Sequence, residues 1–518
     1  MSGWGLALVV VTALRLGAAA ILPATPDEAY YWVWARDLQP GYLDHPPMVA
    51  LWIAAGTALM GDDPLGIRSL GPLGIALASV ALARAGDLLF PESRPGVWGA
   101  ALLNATPMVN AGAVLMTPDT PLIVFWCLAL WAVARLHVSG DGRWWFVVGA
   151  LAGAALLSKY TALLFGLGLV AWLVAVPAAR QWWRDARLYG GGLVAGVVFL
   201  PVVLWNATHG WASFAKQGGR AGSGEGLSLR FIGELLGGQL ALASPVIFGL
   251  AVAGVGVAAA AWARRRGAGT GLVVALTLPA AVVFLWQATG SRVQGNWPAI
   301  LYPAGCLAAA LVGAGWRPWA LGVGAAMTLA IAVQASLSPL DLGRSRDPTL
   351  ARLGGWEALG QDADAARRSA GAAFLASEEY GLASELTLHV PAGVTVVAAG
   401  DRWRFFSLPA PVPGQAGLMV RSVRRGEGAP DWPGAVAVGE LRRVRDGEEA
   451  ERYRLYRIET PAGGLPAAVL PRPRPRRGPS GSGRGRGVAG RRRRPGRGFA
   501  RRHASDATNR PLSRSPGP

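Results

Sequence analysis

Cysteine and charge are both scarce in this 518-residue chain. The two cysteines, Cys127 and Cys306, sit inside apolar stretches and offer neither a disulfide framework nor metal-site spacing. Charged residues make up 16% of the chain against 52% apolar ones, a balance that excludes an ordinary soluble globule and suits a membrane protein. The P-loop, the dinucleotide-binding glycine fingerprint and the nucleophile elbow are all missing, so nucleotide hydrolysis and serine hydrolase chemistry lack support. The formal charge of +19 resembles a nucleic-acid signal until it is located. Fifteen Arg and one Asp between Pro471 and Pro518 carry +14 of it, so nucleic acid is not an expected partner.

What is present is a series of apolar segments. A spanning helix needs about 20 such residues, and eleven segments qualify, with soft edges: 4–23, 68–90, 97–116, 119–137, 144–158, 160–178, 188–205, 241–263, 269–290, 299–315 and 318–338. The first reads as a retained span, because a basic n-region and a convincing cleavage site are lacking. The shorter run 46–60 reads as a re-entrant or interfacial helix. Under this count Arg135, Arg143, Arg180, Arg184, Arg187, Arg264, Arg265, Arg266 and Arg317 share one side, which is then cytoplasmic. The acidic first loop, the Thr117-Pro118-Asp119 turn, Lys159 and the 206–240 and 291–298 loops all face the other way.

The expected fold class is therefore an all-α polytopic membrane protein with about eleven transmembrane helices, residues 1–338, and a first outer loop at 24–67. Residues 339–460 mix helical stretches (Trp356 to Arg368, Glu378 to Leu388) with β-rich runs (Val394 to Ala398, Leu418 to Val423, Arg452 to Ile458), which predicts a small outer α/β domain. Residues 461–518 are Pro, Gly, Ser and Arg-rich and read as a disordered basic tail. Its charge could touch anionic lipid or polymer, or it is a dispensable extension.

The first outer loop holds the densest chemistry. Thr25-Pro26-Asp27-Glu28 carries an N-cap, a proline at the first helical position and a capping-box carboxylate. Tyr30, Tyr31, Trp32 and Trp34 follow, aromatic surface of the kind found at bilayer edges, so a short helix lying along the membrane is expected. Asp27 and Glu28 either cap the helix dipole or serve chemistry, with Asp27 as a general base. Asp119 is either an N-terminal cap, with Thr117 and Pro118, or a site acid. Lys159 is a snorkelling lysine or a phosphate-binding cation. His45, beside Asp44, could bind phosphate or a divalent metal or merely pair with its neighbour; one His and one Asp are a weak metal signal. His209 lies among the aromatics of the Trp205-to-Phe214 stretch, which could line a polyprenyl or sugar pocket. Gln294 and Asn296, with Trp297, have hydrogen-bonding and stacking character suited to a sugar, and would serve equally as interfacial residues.

Pro26-Asp27-Glu28-Ala29-Tyr30-Tyr31-Trp32 together with Asp44-His45-Pro46-Pro47 resembles glycosyltransferase family 39, the bacterial branch of the protein O-mannosyltransferase and aminoarabinose lipid A transferase superfamily. Met116-Thr117-Pro118-Asp119-Thr120-Pro121, Ser158-Lys159-Tyr160-Thr161, Leu204-Trp205-Asn206 with His209-Gly210-Trp211, and Val293-Gln294-Gly295-Asn296-Trp297-Pro298 extend the resemblance over about residues 5–400. It implies a GT-C bundle with a non-cytoplasmic active site in a bacterial inner membrane. It implies a polyprenyl-phosphate-linked sugar donor, a lipid, glycan or protein acceptor, and inversion in one displacement. Matched residue by residue, Asp27 is then the base, Glu28 its neighbour and Asp119 a second acid of the site. In the lipid A branch a lysine precedes the Pro-Pro pair; here that position is His45, which shifts the phosphate-binding load toward Lys159. Asp44, His45, Lys159, His209, Gln294 and Asn296 complete the expected substrate-binding set, and a transporter or flippase of lipid-linked sugars is the alternative from another class. Such a transporter should show internal repeats and broken mid-membrane helices; the sequence shows no evident repeat, and its polar residues cluster on one face.

Overall fold

The computed structural model describes residues 3–222, 228–265, 267–426, 428–461 and 466–473. The basic stretch from 474 onward lies outside the described residues. Among them, seven helices are long and apolar enough to cross a membrane: Gly3–Ile21, Pro64–Leu89, Asp119–Ser139, Ala186–Thr208, Pro245–Arg264, Ala268–Ala288 and Ala314–Leu337. The protein is thus a multi-pass membrane protein. The remaining segments read as spans are interrupted or short, each for a local reason. Segment 97–116 divides into Gly96–Ala105 and Pro107–Val114, because Pro107 has no N–H to continue the first helix. Trp144–Ser158 is a 15-residue helix. The 160–178 segment turns through 105° at Val176-Pro177. The last, Trp297–Leu311, opens as a 3-10 turn over two prolines, Pro298 and Pro303.

We label the elements around the site α1 (Gly3–Ile21), α2 (Pro26–Arg36), α3 (Met48–Met60), α4 (Pro64–Arg68) and α5 (Asp119–Ser139), then α6 (Ala186–Thr208) and α7 (Ala212–Gly222). In the C-terminal region follow α8 (Pro348–Arg352), α9 (Trp356–Ser369) and α10 (Tyr380–His389). Six strands, β1 (Phe374–Ser377), β2 (Thr395–Ala399), β3 (Ala416–Ser422), β4 (Val436–Arg445), β5 (Glu448–Glu459) and β6 (Ala467–Val469), form one sheet in the order β4-β5-β3-β1-β2-β6. β1 runs parallel to β2 and β3, while β4, β5 and β6 join antiparallel. The final strand corrects the expected boundary at 460: Ala467-Ala468-Val469 pairs with Val397 to Ala399, so part of the stretch read as tail closes the sheet. The apolar run of four residues between Pro466 and Pro471 is too short to register as a strand.

Two large cores result. One fills the helical bundle around Trp126, Phe165 and Trp172. The other joins α2 and α3 to the C-terminal sheet, with Tyr30, Trp32, Trp34 and Ile53 in the same cluster as Leu375, Trp403, Leu418 and Leu455. This corrects the expectation that the α2 aromatics face lipid: Trp32 and Trp34 are fully buried, and eight of the eleven α2 residues are buried. Burying a large aromatic side chain contributes about 1.5–3 kcal/mol, so the C-terminal region is fused to the first loop and is not an appended module.

One ion pair ties the site end of the bundle together. Glu28 and Arg68 are fully buried, with Arg68 Nε and Nη2 each 2.6 Å from a Glu28 oxygen. Arg68 also donates to the carbonyls of Leu22 and Pro23, just past the end of α1, at 2.6 and 2.8 Å. Glu28 completes a capping box with Thr25 and accepts from the Met116 N–H at 2.9 Å. Removing one partner of such a pair leaves a buried charge uncompensated, at a cost of about 3–5 kcal/mol. Glu28→Gln or Arg68→Met is therefore expected to lower the melting temperature in detergent sharply, and the double variant Glu28→Leu/Arg68→Met to recover part of the loss; equal melting of wild type and single variants would refute the assignment.

Candidate active site

Asp27 occupies the first turn of α2, where the helix N-terminus favours an ionised carboxylate. The Tyr380 hydroxyl donates to its Oδ1 at 3.0 Å, and Arg352 lies 3.4 Å from its Oδ2. Its side chain keeps 36% of its surface exposed. Burial, and then the negative charge of Asp27, hold the Tyr380 phenol well above its ordinary range, so it remains a donor.

Glu28, expected among the catalytic acids, is enclosed by its surroundings. Its oxygens are taken by Arg68, Thr25 and Met116, and its side chain has no exposed surface. These contacts are structural ones. Through Met116 it also fixes the turn that delivers Asp119.

Asp119, Lys159 and Asn296, far apart in the chain, converge. Lys159 Nζ lies 2.7 and 2.9 Å from the two Asp119 oxygens, and Asn296 Nδ2 donates to Asp119 Oδ2 at 2.6 Å. Asp119 opens α5, but Thr117 does not cap it; instead the Thr120 hydroxyl holds the Gly112 and Leu115 carbonyls. Lys159 stands in extended backbone between a helix end and a 3-10 turn, which turns its side chain inward instead of letting it snorkel. Its charge is matched by Asp119, so the expected phosphate-binding cation is already engaged.

Asp44 is likewise held. Lys216 of α7 lies 2.7 Å from its Oδ1, Arg402 pairs with its Oδ2, and the Tyr30 hydroxyl donates to Oδ2 at 3.0 Å. Burial alone would raise its pKa, but Arg402 and Lys216 outweigh that and hold the carboxyl below its usual range. Arg402 also lies over the Tyr380 and Tyr30 rings, at 4.4 and 5.2 Å. His45 is half-buried with its ring edge-on to Tyr31, centroids 6.4 Å apart. His209 stacks on Trp205 at 4.2 Å, and its Nδ1 lies 2.7 Å from the Trp205 carbonyl. Gln294 is exposed, apart from the Asp119 contact that Asn296 makes. Among the described residues no group of three His, Cys, Asp or Glu side chains could hold a metal ion.

Sequence reasoning missed Arg352, Tyr380, Arg402 and Lys216. The first three come from the C-terminal region, whose contact with the first loop has no local signature. A faint signal existed in the alternation Arg402-Trp403-Arg404-Phe405.

The chain is similar to known proteins both in sequence and in fold. Residues 44–205 match the family model described as dolichyl-phosphate-mannose-protein mannosyltransferase. Over 286 residues, 55% of this chain and 59% of the relative, the sequence is 32% identical to the lipid A galacturonosyltransferase RgtD of Rhizobium johnstonii. Over 232 residues, 39% and 40% of the two chains, it is 26% identical to undecaprenyl phosphate-alpha-4-amino-4-deoxy-L-arabinose arabinosyl transferase 1 of Pseudomonas fluorescens. The match thus spans less than two thirds of either curated relative. The crystal structure of ArnT from Cupriavidus metallidurans bound to undecaprenyl phosphate superposes with a TM-score of 0.57 at 17% identity, covering 88% of this chain and 98% of that one; its apo form gives 0.56. That likeness establishes the fold.

The docking of the C-terminal region by Arg402 is testable. Arg402→Ala leaves Asp44 with one cation in place of two and should make the 340–470 region markedly more sensitive to limited proteolysis, whereas Arg404→Ala, which is largely exposed, should not. Because the Asp44 carboxyl is held below its unfolded value, its contribution is complete at neutral pH and is lost as pH falls through the lowered value. Wild type should therefore keep its resistance down to about pH 4. Equal proteolysis of the two variants would count against the anchor. The family resemblance read from the motifs is borne out by these matches, and the fold is that of the ArnT crystal structures.

Proposed function

We propose that this protein is an inverting membrane glycosyltransferase that moves a sugar from a polyprenyl-phosphate donor to a hydroxyl of a lipid A-type acceptor. The site lies on the outer face of a bacterial inner membrane, and Asp27 is the general base. The observation that carries this reading is the different state of the four acids. Glu28, Asp44 and Asp119 are each committed to well-packed cations, whereas Asp27 is partly exposed and holds only a tyrosine hydroxyl and one long contact with Arg352. A base must be reachable, and of these four acids Asp27 has the most exposed side chain.

The chemistry follows from that placement. The acceptor hydroxyl attacks the anomeric carbon, Asp27 takes its proton, and the bond from that carbon to the phosphate oxygen breaks with its electron pair going to the polyprenyl phosphate. Developing negative charge on the phosphate is met by preorganised cations in a low-dielectric setting. Lys216 and Arg402 share the single carboxylate of Asp44, and the positive charge they leave in excess there supports such a role. The names of the relatives, which specify lipid A and undecaprenyl-phosphate-linked sugar, support these substrate classes.

Membranes carrying wild type or Asp27→Asn at matched expression should be compared for transfer of radiolabel from a polyprenyl-phosphate sugar pool to lipid A. Loss of a general base costs about 10²–10⁴-fold in rate, so the variant should retain at most about one hundredth of the transfer. Equal transfer by both would remove Asp27 as the base. Label crossing the membrane with no product formed, in wild type, would favour a transporter instead.

A further inference from the structure

Arg352 ends α8, and its side chain is 62% exposed beside the candidate base. An exposed pair at 3.4 Å contributes little to stability, yet the backbone that presents this residue is firmly held. Asp347 caps α8 by accepting from the Thr349 N–H at 2.8 Å. The buried Arg443 donates to the carbonyls of Ala351 and Gly354, both at 2.8 Å, and lies 4.0 Å over the Trp356 ring. The Trp356 indole N–H in turn donates to the Arg352 carbonyl at 3.1 Å. Gly354 and Gly355 follow with φ of +78° and +74°, and a Cβ at Gly355 would lie 2.3 Å from the Val444 carbonyl oxygen. The backbone is thus fixed on both sides of a side chain whose tip is nearly free.

A cation parked beside a general base is a liability unless it has another task. It competes for the carboxylate with the proton that the base must accept. A guanidinium also presents five N–H donors in a planar fork, and the structure assigns one long contact to this one. The fork matches the geometry of carboxylates and phosphates.

Resting on the transferase reading above, we infer that Arg352 is a specificity-determining residue whose guanidinium receives an oxyanion of the substrate next to the reacting hydroxyl. Binding that oxyanion draws the guanidinium off Asp27 and frees the carboxylate for the proton. The oxyanion has two sources of the same chemistry: a carboxylate on the donor sugar, or a phosphate on the acceptor glycolipid.

The test compares wild type, Arg352→Gln and Arg352→Lys by steady-state transfer, varying the radiolabelled donor and the acceptor in turn, with lipid A used before and after phosphatase treatment. Hydrogen bonds to charged groups are strong enough that losing them should raise one KM by about tenfold or more in Arg352→Gln, with kcat falling far less and Arg352→Lys recovering part of the loss. A rise in the donor KM that survives phosphatase treatment locates the oxyanion on the sugar. A rise in the acceptor KM that disappears when the acceptor is dephosphorylated locates it on the lipid. Unchanged KM values for both substrates, or a fall in kcat alone, overturn the inference. Full activity of Asp27→Asn in the same assay would instead sink the base assignment, and no transfer by wild type would sink the transferase reading and this inference with it.

Discussion

The buried pair of Glu28 and Arg68 is the constraint on which the site end of this protein depends. A carboxylate and a guanidinium without solvent are stable only if nearly every donor and acceptor finds a partner. Arg68 therefore collects the carbonyls left open where α1 ends, and Glu28 collects the Thr25 and Met116 N–H groups. The consequence is geometric. The end of one span, the start of α2, the short helix α4 and the turn before α5 are drawn to one point, and Asp27 and Asp119 sit one and three residues from atoms in that network.

The second constraint is the core shared between the first loop and the C-terminal sheet. α2 is too short to hold its shape alone in water, and its stability comes from burying Tyr30, Trp32 and Trp34 against neighbouring elements. Gly381 shows how close the approach is: a Cβ there would lie 2.8 Å from Pro26 Cβ. That proximity brings Tyr380 onto Asp27 and Arg402 onto Asp44, so the C-terminal region helps to compose the candidate site instead of covering it.

The sequence made the kind of fold and the chemistry-bearing end legible, because apolar length, loop charge and a capping box are local signals. Asp119, Lys159 and Asn296 could each be singled out by type and place, but their convergence is a matter of tertiary structure alone. Glu28 was open to two readings for an instructive reason: a capping-box acid and a catalytic acid look identical until the partner forty residues away is known. The aromatics of α2 posed the same ambiguity, since rings suited to a bilayer edge are equally suited to a protein core. Arg352 and Tyr380 had no signal at all, because nothing near them in sequence belongs to the site.

The charge pattern explains why one acid differs from the rest. Near a membrane surface an unpaired carboxylate is costly, and the fold answers at three of these acids with cations: Arg68 for Glu28, Lys159 for Asp119, Lys216 and Arg402 for Asp44. These pairs are short and mostly sheltered, so exchanging a partner for substrate would expose a charge at a cost of several kcal/mol. Asp27 escapes that cost by position. It stands at a helix N-terminus, where the macrodipole supports its charge, and at the rim, where water and Arg352 screen it. The same features that make its ion pair weak make it available, because only a loosely held carboxylate can accept a proton without first dismantling the structure around it.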